Sequence, residues 1–233
     1  VLHKIIVNYS MGLKEKLLLS PLYDWFGKRS YAQSGEDIIA DVLLGKKNKG
    51  YYVEVGAFHP KLFSNTYLFY KRGWSGVCVE PRPEVKEEFT KVRPRDRFVS
   101  MGVAEKKDVL EYWEFDDAAA NTFLPEQAER NIKEAGRKLK RKINAAVMPL
   151  KDILATSVPE EVKIDLLSVD VEGMDLEVLR SNDWKKYRPK VVIGEDLEFD
   201  FLNPKKSEVV KYLLGLGYRL AGVTPYSLVF VDK

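Results

Sequence analysis

Tyr51-Tyr52-Val53-Glu54-Val55-Gly56-Ala57-Phe58-His59-Pro60 is the stretch from which the rest of this chain can be read. A short run dominated by Tyr and Val predicts a strand, because such side chains pack well on a pleated, buried surface. Gly56 then permits a tight turn and a close approach of ligand to backbone. A strand running into a glycine turn is the opening unit of an open α/β sheet, where ligands bind outside the carboxyl ends of the strands. The further glycines of a G-x-G-x-x-G fingerprint are missing. A smaller nucleoside ligand is therefore expected ahead of a pyrophosphate-bearing dinucleotide, which disfavours a nicotinamide-dependent oxidoreductase.

Working outward, further parallel strands are expected at 77–80, 97–103, 164–170 and 191–195, each rich in Val, Ile, Leu or aromatic residues, with helical segments between most of them. That alternation predicts a mostly parallel, doubly wound sheet covered on both faces. Two last strand-like runs, 217–223 and 227–231, flank Thr224-Pro225-Tyr226 and predict a hairpin, hence a C-terminal antiparallel strand. The stretch 116–146 breaks the rhythm. It carries a helical pattern and then Gly136-Arg137-Lys138-Leu139-Lys140-Arg141-Lys142, and reads either as an insertion over the site or as a solvated, charged helix face. Residues 1–30, with Leu13, Leu17, Leu18 and Leu22 at roughly helical spacing, read as an N-terminal helical extension or a linker before a main domain at 31–233.

Composition narrows the function. The 233 residues are 45% hydrophobic and 31% charged, enough for one large α/β domain. Thirty-eight basic residues nearly balance 35 acidic ones, leaving +3, so nothing global favours nucleic acid or an anionic membrane. An enzyme acting on nucleic acid, with Lys138–Lys142 on phosphates, is thus a lesser alternative. The one cysteine, Cys78, sits in an apolar run and is expected buried and inert, which fits a reducing compartment. With no apolar stretch of about 20 residues and no secretory layout at the start, a soluble, cytoplasmic protein is expected.

Strand ends carry the candidate chemistry. Glu54 is placed either to receive the ammonium of an amino-acid moiety or as an exposed edge acid. Glu80, which closes the second strand ahead of Pro81, stands at about the spacing from Gly56 expected between a glycine turn and a ribose-binding acid. Met101 and Gly102 are placed to flank an adenine ring, with Met101 equally readable as core. Asp170 and Glu172 follow the fourth strand, and Glu195 and Asp196 end the fifth. Buried strands rarely tolerate Asp without a partner or a role. Asp170, Glu195 and Asp196 read as ligands of one hard cation, Mg²⁺ or Mn²⁺, as a general base, or as structural hydrogen-bonding groups. His59 reads as an alternative base or as a loop histidine bonded to backbone.

The ordered set Gln33-Ser34-Gly35-Glu36-Asp37, Glu54 to Pro60, Ser64-Asn65-Thr66, Gly73-Trp74, Val79-Glu80-Pro81 and Asp170-Val171-Glu172-Gly173 closely resembles FkbM-like methyltransferases over about residues 31–200. The resemblance implies a Rossmann-like class I fold and S-adenosyl-L-methionine (SAM) as cofactor. It also implies methyl transfer to an oxygen, commonly of a sugar, glycan or polyketide-type product. It places Glu54, Gly56 and Ala57 in the cofactor turn, Glu80 and Pro81 at the ribose, and Asp170 and Glu172 beside the transferring methyl. Gln33, Glu36 and Asp37 would close over the cofactor. A non-catalytic SAM-binding module is the alternative outside enzymes, disfavoured by acids at several strand ends.

Overall fold

The computed structural model describes residues 29–233, so all but the last two residues of the expected N-terminal extension lie outside the described residues. Five strands run parallel: β1 (Tyr51–Val55), β2 (Ser75–Val79), β3 (Arg97–Val99), β7 (Leu166–Val169) and β8 (Val191–Glu195). The C-terminal hairpin, β9 (Tyr218–Val223) and β10 (Ser227–Asp232), inserts β10 antiparallel against β8. The order is β3-β2-β1-β7-β8-β10-β9. It reverses direction between β1 and β7, and that switch point is where open α/β sheets place ligands.

The period-2 pattern of the strands divides the core. Val53, Val55, Val77, Val79, Val169 and Val192 face one buried cluster, while Tyr52, Cys78, Leu166, Val191 and Ile193 face the other. The first cluster is closed by α5 (Leu150–Ser157), α6 (Asp175–Arg180) and α7 (Glu208–Gly215), through Ile153, Leu154, Val178, Val210 and Leu213. The second is closed by α1 (Glu36–Leu43), α2 (Tyr67–Lys71) and α3 (Lys86–Val92), through Ala40, Phe69 and Phe89. A sheet apolar on both faces needs both layers, which is why its strands read as near-continuous hydrophobic runs.

The expected strand 97–103 is two strands. Val99's carbonyl accepts both Glu80 N–H (3.1 Å) and Met101 N–H (3.2 Å), so the chain turns there. It then enters a second sheet, ordered β4-β6-β5, made of β4 (Gly102–Val103), β5 (Asp108–Phe115) and β6 (Leu139–Met148). The stretch 116–146 is correspondingly not a charged helix face at its basic end. A short 3₁₀ turn (Ala118–Ala120) and α4 (Pro125–Lys133) lead into the ten-residue β6. Along β6 two basic side chains find acidic partners, in the neighbouring β5 and beyond the sheet. Arg141 pairs with Glu114 and Glu84, and Lys142 pairs with Glu111 and lies over the Trp113 ring. Among the described residues, no helix is long and apolar enough to cross a membrane.

Candidate active site

The C-terminal ends of β1, β2, β7 and β8 and the second sheet enclose a cleft of about 290 Å³. Gly56 shapes its floor. The N–H groups of Gly56 and Ala57 both donate to Val79 O, at 3.0 and 3.1 Å, tying the turn to the end of β2. Gly56 adopts φ +76°, and a Cβ there would stand 1.7 Å from the Asp170 carbonyl oxygen. The glycine is therefore required first by the neighbouring strand end, which closes over it, and only then by any ligand. Four described non-glycine residues also have positive φ, and three of them, Phe58, Phe63 and Glu172, line this cleft. Backbone strain of this kind concentrates at functional sites.

Because β7 and β8 are adjacent and parallel, their ends deliver Asp170, Glu172 and Glu195 to one place, with carboxylate oxygens all within 4.8 Å of one another. Burial comes first among the causes that hold all three well above the usual carboxylate range. Repulsion from Glu36 and Glu54 adds to it for Asp170, and repulsion from Asp170 for the other two. Asp175, in the first turn of α6, accepts the Glu195 N–H at 3.1 Å and so fixes the end of β8. Asp196 is outside this group. Its carboxylate accepts Glu198 N–H at 3.2 Å and its N–H donates to Tyr226 O. Successive residues of an extended segment point opposite ways, so Glu195 and Asp196 do not share a ligand, and Glu172 takes the third place.

Glu80 is buried, and its carboxylate accepts Phe58 N–H (3.0 Å), Arg82 N–H (3.2 Å) and Arg82 Nε–H (2.7 Å). Burial raises its pKa and Arg82 opposes that shift. An ionised carboxylate has about four acceptor sites, so capacity remains for ribose hydroxyls. Gln33 and Pro81 line the cleft with it. Met101 and Gly102 do not line it. They bound a small apolar annex of about 20 Å³ together with Pro81 and Phe123, and the Phe123 ring packs where a Gly102 Cβ would be.

Four other expected site residues belong to the scaffold. Glu54 is neither exposed nor on the cleft wall. Its carboxylate accepts from Ser64 Oγ (2.9 Å), Thr66 Oγ1 (2.7 Å) and Arg93 Nη1 (3.1 Å), because its place in β1 turns it toward the face that carries Tyr52. Ala57 is buried in that same core. Asp37 accepts Ser30 Oγ–H (2.6 Å) and the N–H groups of Tyr31 (2.7 Å) and Ile38 (2.8 Å), so it orders the chain before α1 rather than closing over a ligand. His59 Nδ1 accepts the N–H groups of Lys61 (3.1 Å) and Leu62 (2.9 Å), the backbone-bonded reading, and the ring is not on the cleft wall.

Sequence reasoning missed Arg82, Arg93, Tyr112 and Asn121. The two arginines are single charges in unremarkable polar contexts, and only the fold shows that each neutralises a buried acid. Tyr112 and Asn121 come from the second sheet and its connection, which local pattern did not tie to the cofactor turn. Of the basic run, Arg137 lines the cleft.

The family described as methyltransferase FkbM domain matches residues 54–220. The chain belongs to this family. Among solved structures, this FkbM domain is similar to an FkbM methyltransferase from Methylobacillus flagellatus KT (14% identity, TM-score 0.45), covering 79% of this chain and 44% of that one. It is also similar to the O-methyltransferase from Bacillus cereus solved in complex with S-adenosylhomocysteine (SAH; 10% identity, TM-score 0.42; 97% and 93% covered). A third is the O-methyltransferase TomG from Streptomyces achromogenes, involved in tomaymycin synthesis and solved with SAM (11% identity, TM-score 0.42; 97% and 92% covered). The FkbM domain thus spans under half the length of the Methylobacillus chain. Among curated proteins no sequence matches at a significant level. Family membership stands on the sequence match, which makes this a methyltransferase FkbM domain.

Proposed function

We propose that this domain moves a methyl group to a hydroxyl oxygen, with a sugar or glycan as the acceptor. The observation that carries the reading is the buried carboxylate group Asp170, Glu172 and Glu195 on the same cleft wall as Gly56 and Glu80. When bound, SAM supplies an electrophilic methyl on a sulfonium. The chain's task is to hold the acceptor oxygen in line and relieve it of its proton. Asp170, raised toward neutrality by burial and neighbouring acids, suits a general base. Glu80 would hold the ribose hydroxyls, and Gln33 faces the same space. The sugar acceptor follows from what the family commonly methylates, and a polyketide-type hydroxyl is the nearest competing acceptor.

Titration calorimetry with SAH tests the cofactor half. Micromolar binding is expected for the native protein. Glu80→Ala should weaken it about 10- to 100-fold, the range for losing hydrogen bonds to a charged group. No binding by folded native protein would overturn the reading.

The oxygen-rich donor set also suits Mg²⁺ or Mn²⁺, with Asp170, Glu172 and Glu195 as ligands, because a hard cation would relieve the repulsion among them. Millimolar Mn²⁺ should then raise the melting temperature of native protein by several degrees and that of Glu195→Gln by much less. Equal responses in the two proteins would remove the metal from the proposal.

A further inference from the structure

The second sheet brings two polar side chains to the cleft that nothing so far has used. Tyr112, on β5, is 5% exposed and lines the cleft. Asn121, in the connection after the 3₁₀ turn, is 6% exposed and lines the same cleft. Its Oδ1 accepts Phe115 N–H at 2.8 Å, while its Nδ2 has no partner among the described residues. The Asn121 side chain lies beside the Tyr112 hydroxyl and favours the ionised phenol, against the larger effect of burial. A buried amide donor without a partner is costly, and such groups in native proteins usually await a ligand or water.

Their surroundings say which part of a ligand they would meet. Tyr112 stands within electrostatic reach of Glu80 and Arg82. Its ring packs on Phe123, centroids 4.5 Å apart. Phe123 in turn covers Gly102 and borders the apolar annex with Pro81. Tyr112 therefore links Glu80, the proposed ribose ligand, to an apolar recess, the two environments that a nucleoside needs.

Resting on the cofactor reading above, we propose that Tyr112 is a cofactor-binding residue whose hydroxyl hydrogen-bonds the adenosine moiety of SAM, with the Asn121 amide orienting that hydroxyl from behind. The second sheet thus completes the nucleoside pocket that the main sheet begins. Tyr112→Phe removes one oxygen and keeps the ring on Phe123, so fold and packing are preserved. Calorimetry would compare native and variant protein with two probes, SAH and 5′-methylthioadenosine, which keeps the adenosine but lacks the amino-acid end. Both probes should weaken by the same factor, about five- to tenfold, as expected for one neutral hydrogen bond. Unchanged affinity for both would overturn the assignment while leaving the cofactor site standing. Loss for SAH alone would place the hydroxyl at the amino-acid end and overturn it as well. Failure of the native protein to bind either probe would instead sink the cofactor reading and this inference with it.

Discussion

Arg93→Leu should lower the unfolding free energy by about 3–5 kcal/mol, the usual cost of removing one partner from a buried ion pair. Arg93 lies at the end of α3 with a fully buried side chain. Its guanidinium donates to Glu54 (3.1 Å), Ser64 Oγ (3.2 Å), Thr66 Oγ1 (2.6 Å) and Asp96 (2.6 Å), with the Tyr52 ring 5.2 Å away. Without it, Glu54 and Asp96 keep their burial and lose their countercharge. Asp96 would still accept from Tyr52 Oη and Gly76 N–H, and Glu54 from the two hydroxyls, but hydrogen bonds alone do not neutralise two buried anions. A domain of this size loses roughly 2–4 °C of melting temperature per kcal/mol, so thermal unfolding should show a drop of about 6–20 °C. A loss below about 1 kcal/mol would mean that water reaches the network and that the pair is not what holds the β1 turn in place. Arg93→Lys, which keeps the charge but cannot bridge both acids, should fall between.

Asp170→Asn should lower turnover about 10²- to 10⁴-fold, the usual share of a general base, while SAH affinity stays within about threefold. The variant keeps the side chain's volume and loses its basicity and its charge toward a cation. Turnover is read as SAH released in the presence of a panel of sugar and glycan acceptors on which the native protein turns over, and near-native turnover would end the role of Asp170. The same variant carries a stability signature. Asp170 has its folded pKa raised to about 6 from an ordinary value near 3.8. The native state therefore binds the proton more tightly than the unfolded state. Its stabilising contribution is fully present below about pH 4 and is lost as pH rises through about 6. At pH 8 with chelator present, Asp170→Asn should melt at or above the native temperature, and at pH 4 the two should converge. A residue whose ionisation harms stability but serves turnover would show both effects together.

Much of this domain was legible along the chain. The runs 51–55 and 191–195 are buried strands because their composition permits little else, and Gly56, Glu80, Asp170 and Glu195 stand at strand ends that a parallel sheet brings to one edge. The terminal hairpin was legible because a proline-containing turn separates two β-rich runs. These features depend on local propensity and a period of two, both of which are written in consecutive residues.

The rest required the tertiary structure. Whether a strand-end acid faces ligand or scaffold depends on which side of the sheet its position in the strand selects and on what packs there. Glu54 turned to Arg93, Ser64 and Thr66, while Glu80 kept the cleft. Glu172 reached the carboxylate group through a positive-φ backbone, and Asp196 turned to cap its own loop. The second sheet escaped local reading because its charged β6 is partnered across the sheet rather than by its own sequence neighbours, as Arg141 and Lys142 show. Its contribution of Tyr112 and Asn121 to the cleft depends on contacts between residues far apart in the chain. Sequence alone thus determined the sheet and the edge at which its strand-end acids gather, because those follow from short-range pattern. Only the fold decided which acids meet one another and which are neutralised, because burial and charge pairing are properties of three-dimensional neighbours.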